Sequence, residues 1–261
     1  MAMEASYSAI ILAGGSCSRF GRADMLKDNA GGKSVLSHSL DLFSSDVQCR
    51  EIIVSASPAV AEWIAGDPLT FSLPNMPVLK AEDSRGASAL AAAHRAVADI
   101  IVLHDANRPN IRAEYVARLL ATLKPGIGAA LVLELTGPVA SLTEIGERGT
   151  ENGDGGGGLL GPRADHRVGH LMELQQPDGL YLIQTPQAYL KADYLKAAEA
   201  AGDPGGFSDD SSMFIAGGME VAGVAGPQAN FAIIRESSLR LLDKLMGGGH
   251  TKKDKSTGLG W

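Results

Sequence analysis

Two short stretches of this sequence carry residue types that could hold a phosphorylated ligand. The first is the glycine pair Gly14-Gly15, which ends the apolar run Ala9–Ala13 and is followed by Arg19 and Lys27. Free N–H groups in a glycine turn, together with nearby cations, suit the phosphates of a nucleotide. The alternative is an ordinary turn between a strand and a helix, because glycine pairs are common in loops.

The second stretch, residues 104–109, has the sequence HDANRP and follows the apolar run Ile100–Leu103. A carboxylate such as Asp105, at the end of a strand and opposite a phosphate-binding loop, is placed to hold Mg²⁺ against phosphate oxygens. Arg108 could then brace Asp105 or contact a substrate phosphate. The structural alternative is that Asp105 caps the following turn and pairs with Arg108.

Three further polar positions could line the same site. Ser88 ends a polar loop and is predicted to cap the following helix, while the same loop could contact the edge of a base. Asp209 or Ser208 is predicted to cap another helix, and the acidic pair Asp209-Asp210 could contact polyol hydroxyls or a metal. After a further strand pattern, Thr185 could donate a hydrogen bond to a phosphate or a sugar.

The elements that must position these residues alternate along the chain. Apolar runs typical of buried strands are separated by helical patterns, which predicts right-handed crossovers and a largely parallel sheet. Ligands of such sheets lie at the carboxyl ends of the strands, where the glycine turn and Asp105 would meet. The predicted strands are Ser8–Leu12, Glu51–Ser55, Pro77–Leu79, Ile100–Leu103, Gly128–Leu133, Tyr181–Gln184 and Glu220–Val224. The predicted helices are Ser34–Ser44, Ser88–Ala98, Ala113–Leu123 and Lys191–Ala200.

Composition narrows the expected partners and compartment. The net charge of −7 and the isoelectric point near 5.4 argue against a nucleic-acid partner, which requires a basic face. Cys17 and Cys49 are the only cysteines, which predicts a reducing, cytoplasmic setting. No signal-peptide pattern is present and no apolar run reaches the length of a bilayer span, so no membrane partner is expected.

Two segments differ in composition from the rest of the chain. Ile145–His170 is rich in glycine and poor in apolar residues, which predicts a loop or a loosely formed arm at 145–170. The glycine- and lysine-rich tail, residues 247–261, is predicted to be disordered. Because strand and helix patterns resume after the first segment, we predict one domain over residues 6–246.

Taken in order, these motifs resemble those of the 2-C-methyl-D-erythritol 4-phosphate cytidylyltransferases of isoprenoid synthesis. The resemblance covers about Ser8 to Leu245, and the HDANRP stretch followed by Thr185-Pro186-Gln187 is its most specific part. It implies a single Rossmann-like α/β nucleotidyltransferase domain, with a mainly parallel twisted sheet and helices on both faces. The matching residues are Leu12–Gly15, Arg19, Lys27, Gly32–Leu36, Arg85, Ser88, His104–Pro109, Thr185–Tyr189 and Asp209-Asp210.

The resemblance also implies an activity and a role for each site residue. Such enzymes join CTP to a small polyol phosphate and release pyrophosphate, with Mg²⁺ as cofactor and a homodimer as the assembly. Arg19 and Lys27 would stabilise the pentacoordinate phosphorus and the leaving pyrophosphate, and Asp105 would bind the metal. The implied CTP contacts are Ala13, Gly14, Gly15, Asp83 and Ser88. The implied acceptor contacts are Asp105, Arg108, Thr185 and Asp209.

Several positions depart from the family pattern. Glu82 stands where glycine is usual, and Pro177 and Ala232 stand where basic residues are usual. Losing one preorganised cation can raise a reaction barrier by roughly 3 kcal/mol. Two alternatives therefore stay open: a transferase for another polyol phosphate, such as ribitol phosphate, or a catalytically impaired homologue that binds a nucleotide or a partner protein.

Overall fold

A computed structural model of the chain describes residues 6–15, 25–67, 71, 73, 75–144 and 169–247. Its strands are β1 (Tyr7–Ala13), β2 (Asn29–Ala30), β3 (Lys33–Ser34), β4 (Cys49–Ala56), β5 (Val78–Lys80), β6 (Ile100–Asp105), β7 (Ile127–Glu134), β8 (Val139–Glu144), β9 (Gly169–Gln175), β10 (Tyr181–Leu190) and β11 (Glu220–Ala225). Its α-helices are α1 (Val35–Ser44), α2 (Pro58–Gly66), α3 (Arg85–Arg95), α4 (Ala113–Thr122), α5 (Lys191–Ala201), α6 (Asp210–Ala216) and α7 (Glu236–Leu245). Short 3-10 turns span Met25–Lys27 and Pro204–Gly206.

Seven strands form one sheet in the order β11-β7-β10-β6-β1-β4-β5. The central strand β1 runs parallel to β4 and β6, and the outer pairs β4-β5 and β7-β11 are parallel as well. Strand β10 runs antiparallel to β6. The predicted α/β class with a mainly parallel sheet is therefore confirmed.

Helices cover both faces of this sheet because the residues of β1 alternate between two cores. Ala9 and Ile11 belong to the core that packs against α1, α2, α4 and α7. Ile10 and Leu12 belong to the opposite core, which packs against α3, α5 and α6. A strand buried on both faces is continuously apolar, which is the pattern that predicted it. Within the described ranges, no helix combines the length and the apolar character that a membrane crossing requires.

The chain divides into two compact units, of which the second spans residues 134–182. Within this second unit β8 and β9 form an antiparallel pair, and the Leu135 N–H donates to the Leu180 carbonyl at 3.0 Å. These two strands were not predicted, since Gly169 and His170 were assigned to the glycine-rich segment. Residues 145–168 of that segment, and residues 248–261 of the tail, lie outside the described residues.

Two predicted element boundaries are wrong. Helix α3 begins at Arg85, because the Ser84 hydroxyl accepts the Ala87 N–H at 3.0 Å; Ser88 is therefore inside the helix rather than at its N-cap. Strand β10 continues through Thr185 to Leu190, since its second half is buried and pairs with β6. The polar segment that was expected to follow this strand is part of it. Helices α2 and α7 were not predicted.

Candidate active site

The glycine turn and the acid of the HDANRP stretch leave the same edge of the sheet. In the parallel pair β1-β6, Leu12 stands opposite Asp105, and the Ala106 N–H donates to the Leu12 carbonyl at 3.1 Å. Gly14 and Asp105 both line one cavity of about 660 Å³, which we call the larger cavity. The expectation that these two turns face a common site is met. Of the residues predicted to form the site, this cavity is lined by Ala13, Gly14, Gly15, Asp83, Ser88 and Asp105.

The turn at Gly14 lies against the loop that follows β5. A Cβ atom at Gly14 would come within 2.3 Å of the Ala81 Cβ, far inside any normal contact distance. Ala81 is itself held in place, because its N–H donates to the Ala56 carbonyl at 2.8 Å. Glycine at position 14 therefore allows the two loops to close together at the floor of the larger cavity.

The loop from Glu82 to Ser88 is ordered by the Ser88 hydroxyl. This buried group accepts the Glu82 N–H at 2.9 Å and donates to the Ser84 carbonyl at 2.8 Å. Its single donor proton is thereby used within the loop. Asp83, in contrast, is exposed at the rim of the larger cavity. Ser88 is thus a buried part of the wall of the larger cavity, whereas the Asp83 side chain is exposed to solvent.

Arg85 is a central residue of the site to which sequence reasoning assigned no role. Its Nε donates to Asp105 Oδ1 at 2.9 Å, and its Nη1 donates to Asp210 Oδ2 at 2.6 Å. Burial disfavours the Arg85 cation, but the carboxylates of Asp210 and Asp105 outweigh it and raise the pKa of Arg85 above its usual value. Position 85 belongs to a matching motif, yet its two partners lie 20 and 125 residues away, so only the fold reveals them.

Arg108 pairs with Asp105 and also fastens the C-terminal part of the domain. Its Nε lies 3.8 Å from Asp105 Oδ2, and its Nη1 donates to the Asn230 carbonyl at 2.8 Å. Burial lowers the pKa of Arg108. The pairing proposed as the structural alternative is thus present, alongside a position where Arg108 also lines a cavity.

That second cavity, of about 210 Å³, adjoins the acid on its other side, and we call it the smaller cavity. All four predicted acceptor contacts line it, and it shares Arg85 and Asp105 with the larger cavity. Asp209, one of the two predicted caps, is the N-cap of α6, and its carboxylate accepts the Gln187 side-chain amide at 3.1 Å. The residues predicted to form this part of the site are Asp105, Arg108, Thr185 and Asp209.

The Thr185 hydroxyl is fixed by the HDANRP turn. It accepts the Asp105 N–H at 3.0 Å and lies 3.3 Å from Nδ1 of His104, whose Nε2 is 3.1 Å from the Arg108 carbonyl. His104 is fully buried, and this burial lowers its pKa from 6.5 to about 4. The imidazole is therefore neutral at pH 7, and it links the HDANRP turn to Thr185 in β10.

The two predicted catalytic cations are placed differently. Arg19 lies outside the described residues. Lys27 is exposed, and its ammonium lies 5.8 Å from the centre of the Trp63 ring, within the range of a cation–π contact. From this turn, Met25 and Leu26 line the larger cavity. Lys27 is not among the residues that line the larger or the smaller cavity, and its catalytic role stays a prediction.

Asp105 is the described carboxylate best placed to hold a metal ion. Its Oδ1 is bonded to Arg85, whereas its Oδ2 is 3.8 Å from Arg108 Nε, too far for a hydrogen bond. Among the described residues, no three His, Cys, Asp or Glu side chains cluster closely enough to hold a metal by themselves. One or two carboxylates completed by substrate phosphates is a common arrangement for Mg²⁺, and this site fits it.

The segment after Asn230 forms an apolar part of the cavity wall. Asn230 is fully buried, and the Ile233 N–H donates to the Asn107 carbonyl at 2.8 Å. Ile233 and Ile234 line the larger cavity beside Ala232, where the family pattern has lysine. Arg235 is exposed and occupies the N-cap position of α7. This part of the cavity wall therefore carries an alanine, and no cation, at position 232.

Comparisons with known proteins agree with this architecture. The chain matches the MobA-like NTP transferase domain over residues 9–201. It is 30% identical over 250 residues to the 2-C-methyl-D-erythritol 4-phosphate cytidylyltransferase of Bordetella petrii, covering 93% of this chain and 99% of that protein. The enzyme of the same name from Cereibacter sphaeroides is 30% identical over 247 residues, covering 92% of this chain and 96% of that protein.

Solved structures show the same fold at lower sequence identity. The 4-diphosphocytidyl-2C-methyl-D-erythritol synthase of Anaerococcus prevotii superposes with a TM-score of 0.69 at 20% identity, covering 93% of this chain and 96% of that one. The 2-C-methyl-D-erythritol 4-phosphate cytidylyltransferase of Thermus thermophilus gives a TM-score of 0.64 at 20% identity, covering 90% and 96%. The chain is a nucleotidyltransferase that belongs to the MobA-like NTP transferase domains and, within them, to the family of 2-C-methyl-D-erythritol 4-phosphate cytidylyltransferases.

Proposed function

We propose that this enzyme joins CTP to 2-C-methyl-D-erythritol 4-phosphate and releases pyrophosphate, with Mg²⁺ as its cofactor. The observation that carries the proposal is the shared wall: two cavities of unequal size meet at Arg85 and Asp105. A reaction between a large donor and a small acceptor requires such a meeting point. The relatives at about 30% identity supply the names of the two substrates.

The larger cavity is proposed to bind CTP. Its volume of about 660 Å³ is in the range of small-molecule sites. The turn at Gly14 is proposed to face the phosphates, with no side chain at position 14 to obstruct their approach. Asp83 and the loop held by Ser88 are proposed to contact the nucleoside.

The smaller cavity is proposed to bind the polyol phosphate. Arg108 supplies a cation for its phosphate, while Thr185 and Asp209 offer groups that can bond to oxygen atoms. Its volume of about 210 Å³ suits a compact acceptor rather than a second nucleotide. Binding here places the acceptor phosphate on the far side of Asp105 from the donor.

The chemistry is an in-line displacement at phosphorus. An oxygen of the acceptor phosphate forms the new bond to the α-phosphorus of CTP, and the bond to the leaving pyrophosphate breaks on the opposite side. Positioning and charge neutralisation carry such reactions, so no protein nucleophile is required. Bound Mg²⁺ would neutralise charge on the phosphate oxygens. Asp105 would hold the ion, while Arg19 and Lys27 are proposed to reach the reacting phosphates.

A pyrophosphate-release assay with Mg²⁺ and CTP tests this proposal. We expect turnover with 2-C-methyl-D-erythritol 4-phosphate and a fall of about 10³-fold in Asp105→Asn. Asp193→Asn is the matched control, because that carboxylate caps the Gly126 N–H at 2.8 Å and lines neither cavity. Turnover confined to ribitol phosphate would contradict the acceptor, and CTP binding without turnover on any acceptor would favour the impaired homologue.

A substitution at Ala232 further distinguishes an active cytidylyltransferase from an impaired homologue that binds CTP without turnover. Ala232→Lys restores the cation of the family pattern at a half-buried position next to Ile233. If the missing charge limits the rate, turnover should rise by about tenfold, since one preorganised cation is worth at least that much. Unchanged turnover in an active enzyme would show that another group supplies the charge.

A further inference from the structure

We propose that Asp210 is a positioning residue for this reaction. Its buried carboxylate anchors Arg85, so that Asp105 keeps the orientation and negative charge that a divalent cation on the nucleotide requires. The inference rests on the proposed function, and it concerns a residue that lines neither cavity. Asp210 therefore acts through Arg85 and does not touch the substrates.

The contacts of Asp210 are those of a fixed anchor. Its side chain is 1% exposed, and it accepts a hydrogen bond from Arg85 Nη1 at 2.6 Å on one oxygen. The other oxygen accepts the Tyr194 hydroxyl at 2.7 Å, and Tyr194 is equally buried in α5. Asp210 is also the first residue of α6, a helix whose start is ordered by the capping pair of Asp209 and Ser212.

The guanidinium of Arg85 transmits this anchoring to the shared wall. One edge of the planar group bonds to Asp210, and Nε bonds to Asp105 Oδ1 at 2.9 Å. Because the fork is rigid, fixing one edge fixes the direction of the other. Asp105 is consequently held by Oδ1 while Oδ2 is left to the site.

Charge points to the same role. The cluster linked by these contacts contains two cations, Arg85 and Arg108, and two carboxylates, Asp105 and Asp210. Its formal charges cancel. Without Asp210 the cluster would carry one net positive charge around Asp105, in a partly buried setting where charges are weakly screened. A divalent cation would then bind less readily to Asp105.

The competing explanation is that Asp210 only fastens α3, α5 and α6 together. Both explanations predict that Asp210→Asn lowers stability, because the partly buried Arg85 loses a charged partner. They differ in the properties of the folded variant. A merely structural role would leave cation binding by the folded fraction unchanged, whereas the positioning role would weaken it.

The experiment measures Mn²⁺ binding in the presence of CTP, by water-proton relaxation, on the full chain. We expect Asp210→Asn to weaken Mn²⁺ binding by about tenfold and Asp210→Glu to recover most of it, since the charge returns. The kcat of Asp210→Asn should lie closer to the wild-type value at saturating Mn²⁺ than at low Mn²⁺. Tyr194→Phe should weaken Mn²⁺ binding by about threefold, because it removes one bond to the anchor.

Tyr7→Phe is the matched control for Tyr194→Phe. Tyr7 is also fully buried and donates to a carboxylate, Asp46 Oδ2, at 2.8 Å, yet it lines neither cavity. It should leave Mn²⁺ affinity within twofold of the wild type. If Asp210→Asn fails to fold, Tyr194→Phe still decides the question.

The outcomes separate this inference from the proposed function. Mn²⁺ affinities within twofold of wild type in folded Asp210→Asn and Tyr194→Phe would overturn the inference alone. Weakened Mn²⁺ binding in an enzyme that turns over no polyol phosphate would support the inference and overturn the proposed acceptor. Failure of the wild-type protein to bind Mn²⁺ with CTP would overturn both.

Discussion

The larger and smaller cavities share one wall but are built in different ways. The larger cavity depends on backbone approach, as at Gly14 and Ala81, and on apolar side chains such as Ile234. The smaller cavity depends on polar side chains held by hydrogen bonds: Thr185 accepts the Asp105 N–H, and Asp209 accepts the Gln187 amide. Backbone packing tolerates many substitutions nearby, whereas a buried polar network loses its order when one member is removed.

Among the positions that depart from the family pattern, Pro177 lines neither cavity. Glu82 and Ala232 depart from the family pattern on the side of the larger cavity, where neighbouring backbone carries much of the shape. The predicted polar residues of the smaller cavity are all present and all line it. We therefore expect substitutions in the polar network to have larger effects than substitutions on the backbone side.

Asn230→Ala should have the largest effect on stability. The buried Asn230 amide donates to the Thr185 carbonyl at 2.8 Å and to Gln184 Oε1 at 3.2 Å, so its loss removes two bonds and leaves a cavity. We expect the free energy of unfolding to fall by about 4 kcal/mol, measured by urea titration. The control is Asn110→Ala, whose amide makes one exposed bond to the Ala229 carbonyl at 3.2 Å. A loss as small as in the control would contradict the network interpretation.

Such networks also mark the limit of what the sequence could predict. The apolar runs predicted the strands of the main sheet, and they fit best at β1, which is buried along its whole length, whereas the edge strands β5 and β11 are partly exposed. The polar residues of β10 hid its second half, since Thr185 and Gln187 find partners only through the fold. Helices α2 and α7 were missed as well, and of the residues of α7 only Leu242 is buried.

Within the site, local motifs were easier to predict than their connections. The parallel sheet predicted that Gly14 and Asp105 meet at one edge, and the family resemblance added Thr185; Gly14 and Asp105 line the larger cavity, and Asp105 and Thr185 line the smaller one. The bond between Arg85 and Asp210 joins residues 125 positions apart, and no local pattern indicates it. Ser88 was taken for a cap because its position before an alanine-rich run fits one, whereas Ser84 takes that role.

Protonation of His104, whose ring lies 3.3 Å from the Thr185 hydroxyl, should make the stability of the fold depend on pH. Burial lowers its pKa to about 4 from 6.5, so the unfolded chain binds the proton first as the pH falls. The stability contributed by the neutral imidazole is complete above about pH 6.5 and is lost progressively down to about pH 4, by about 3 kcal/mol in total. Unfolding of His104→Gln should therefore depend less on pH across this window. Parallel pH dependences of wild type and variant would contradict the assignment.

On the backbone side, Gly14→Ala should have a moderate effect. The added Cβ would lie 2.3 Å from the Ala81 Cβ, so one of the two loops must move. Overpacking of this kind costs about 2 kcal/mol, and the displaced turn should also weaken CTP binding in calorimetry. Gly15→Ala is the control, because a Cβ there would meet no described atom within 4 Å. Equal CTP affinities for the two variants would show that the close approach of Gly14 to Ala81 is not needed for CTP binding.

Ser88→Ala should have the smallest effect and gives the sharpest test of the contrast. The substitution leaves the Glu82 N–H without its partner at 2.9 Å but keeps the helix, since Ser84 still caps it. We expect a loss of about 1 kcal/mol in unfolding free energy, the usual value of one hydrogen bond. Ser45→Ala, which removes an exposed bond to the Leu42 carbonyl at 2.9 Å, is the control and should change stability by less than about 0.5 kcal/mol.

Because the neighbouring backbone still shapes the larger cavity, the CTP affinity of Ser88→Ala should fall by only a few-fold. A loss of CTP binding as large as in Gly14→Ala would instead mean that the Ser88 hydroxyl, rather than the backbone packing, forms this side of the site.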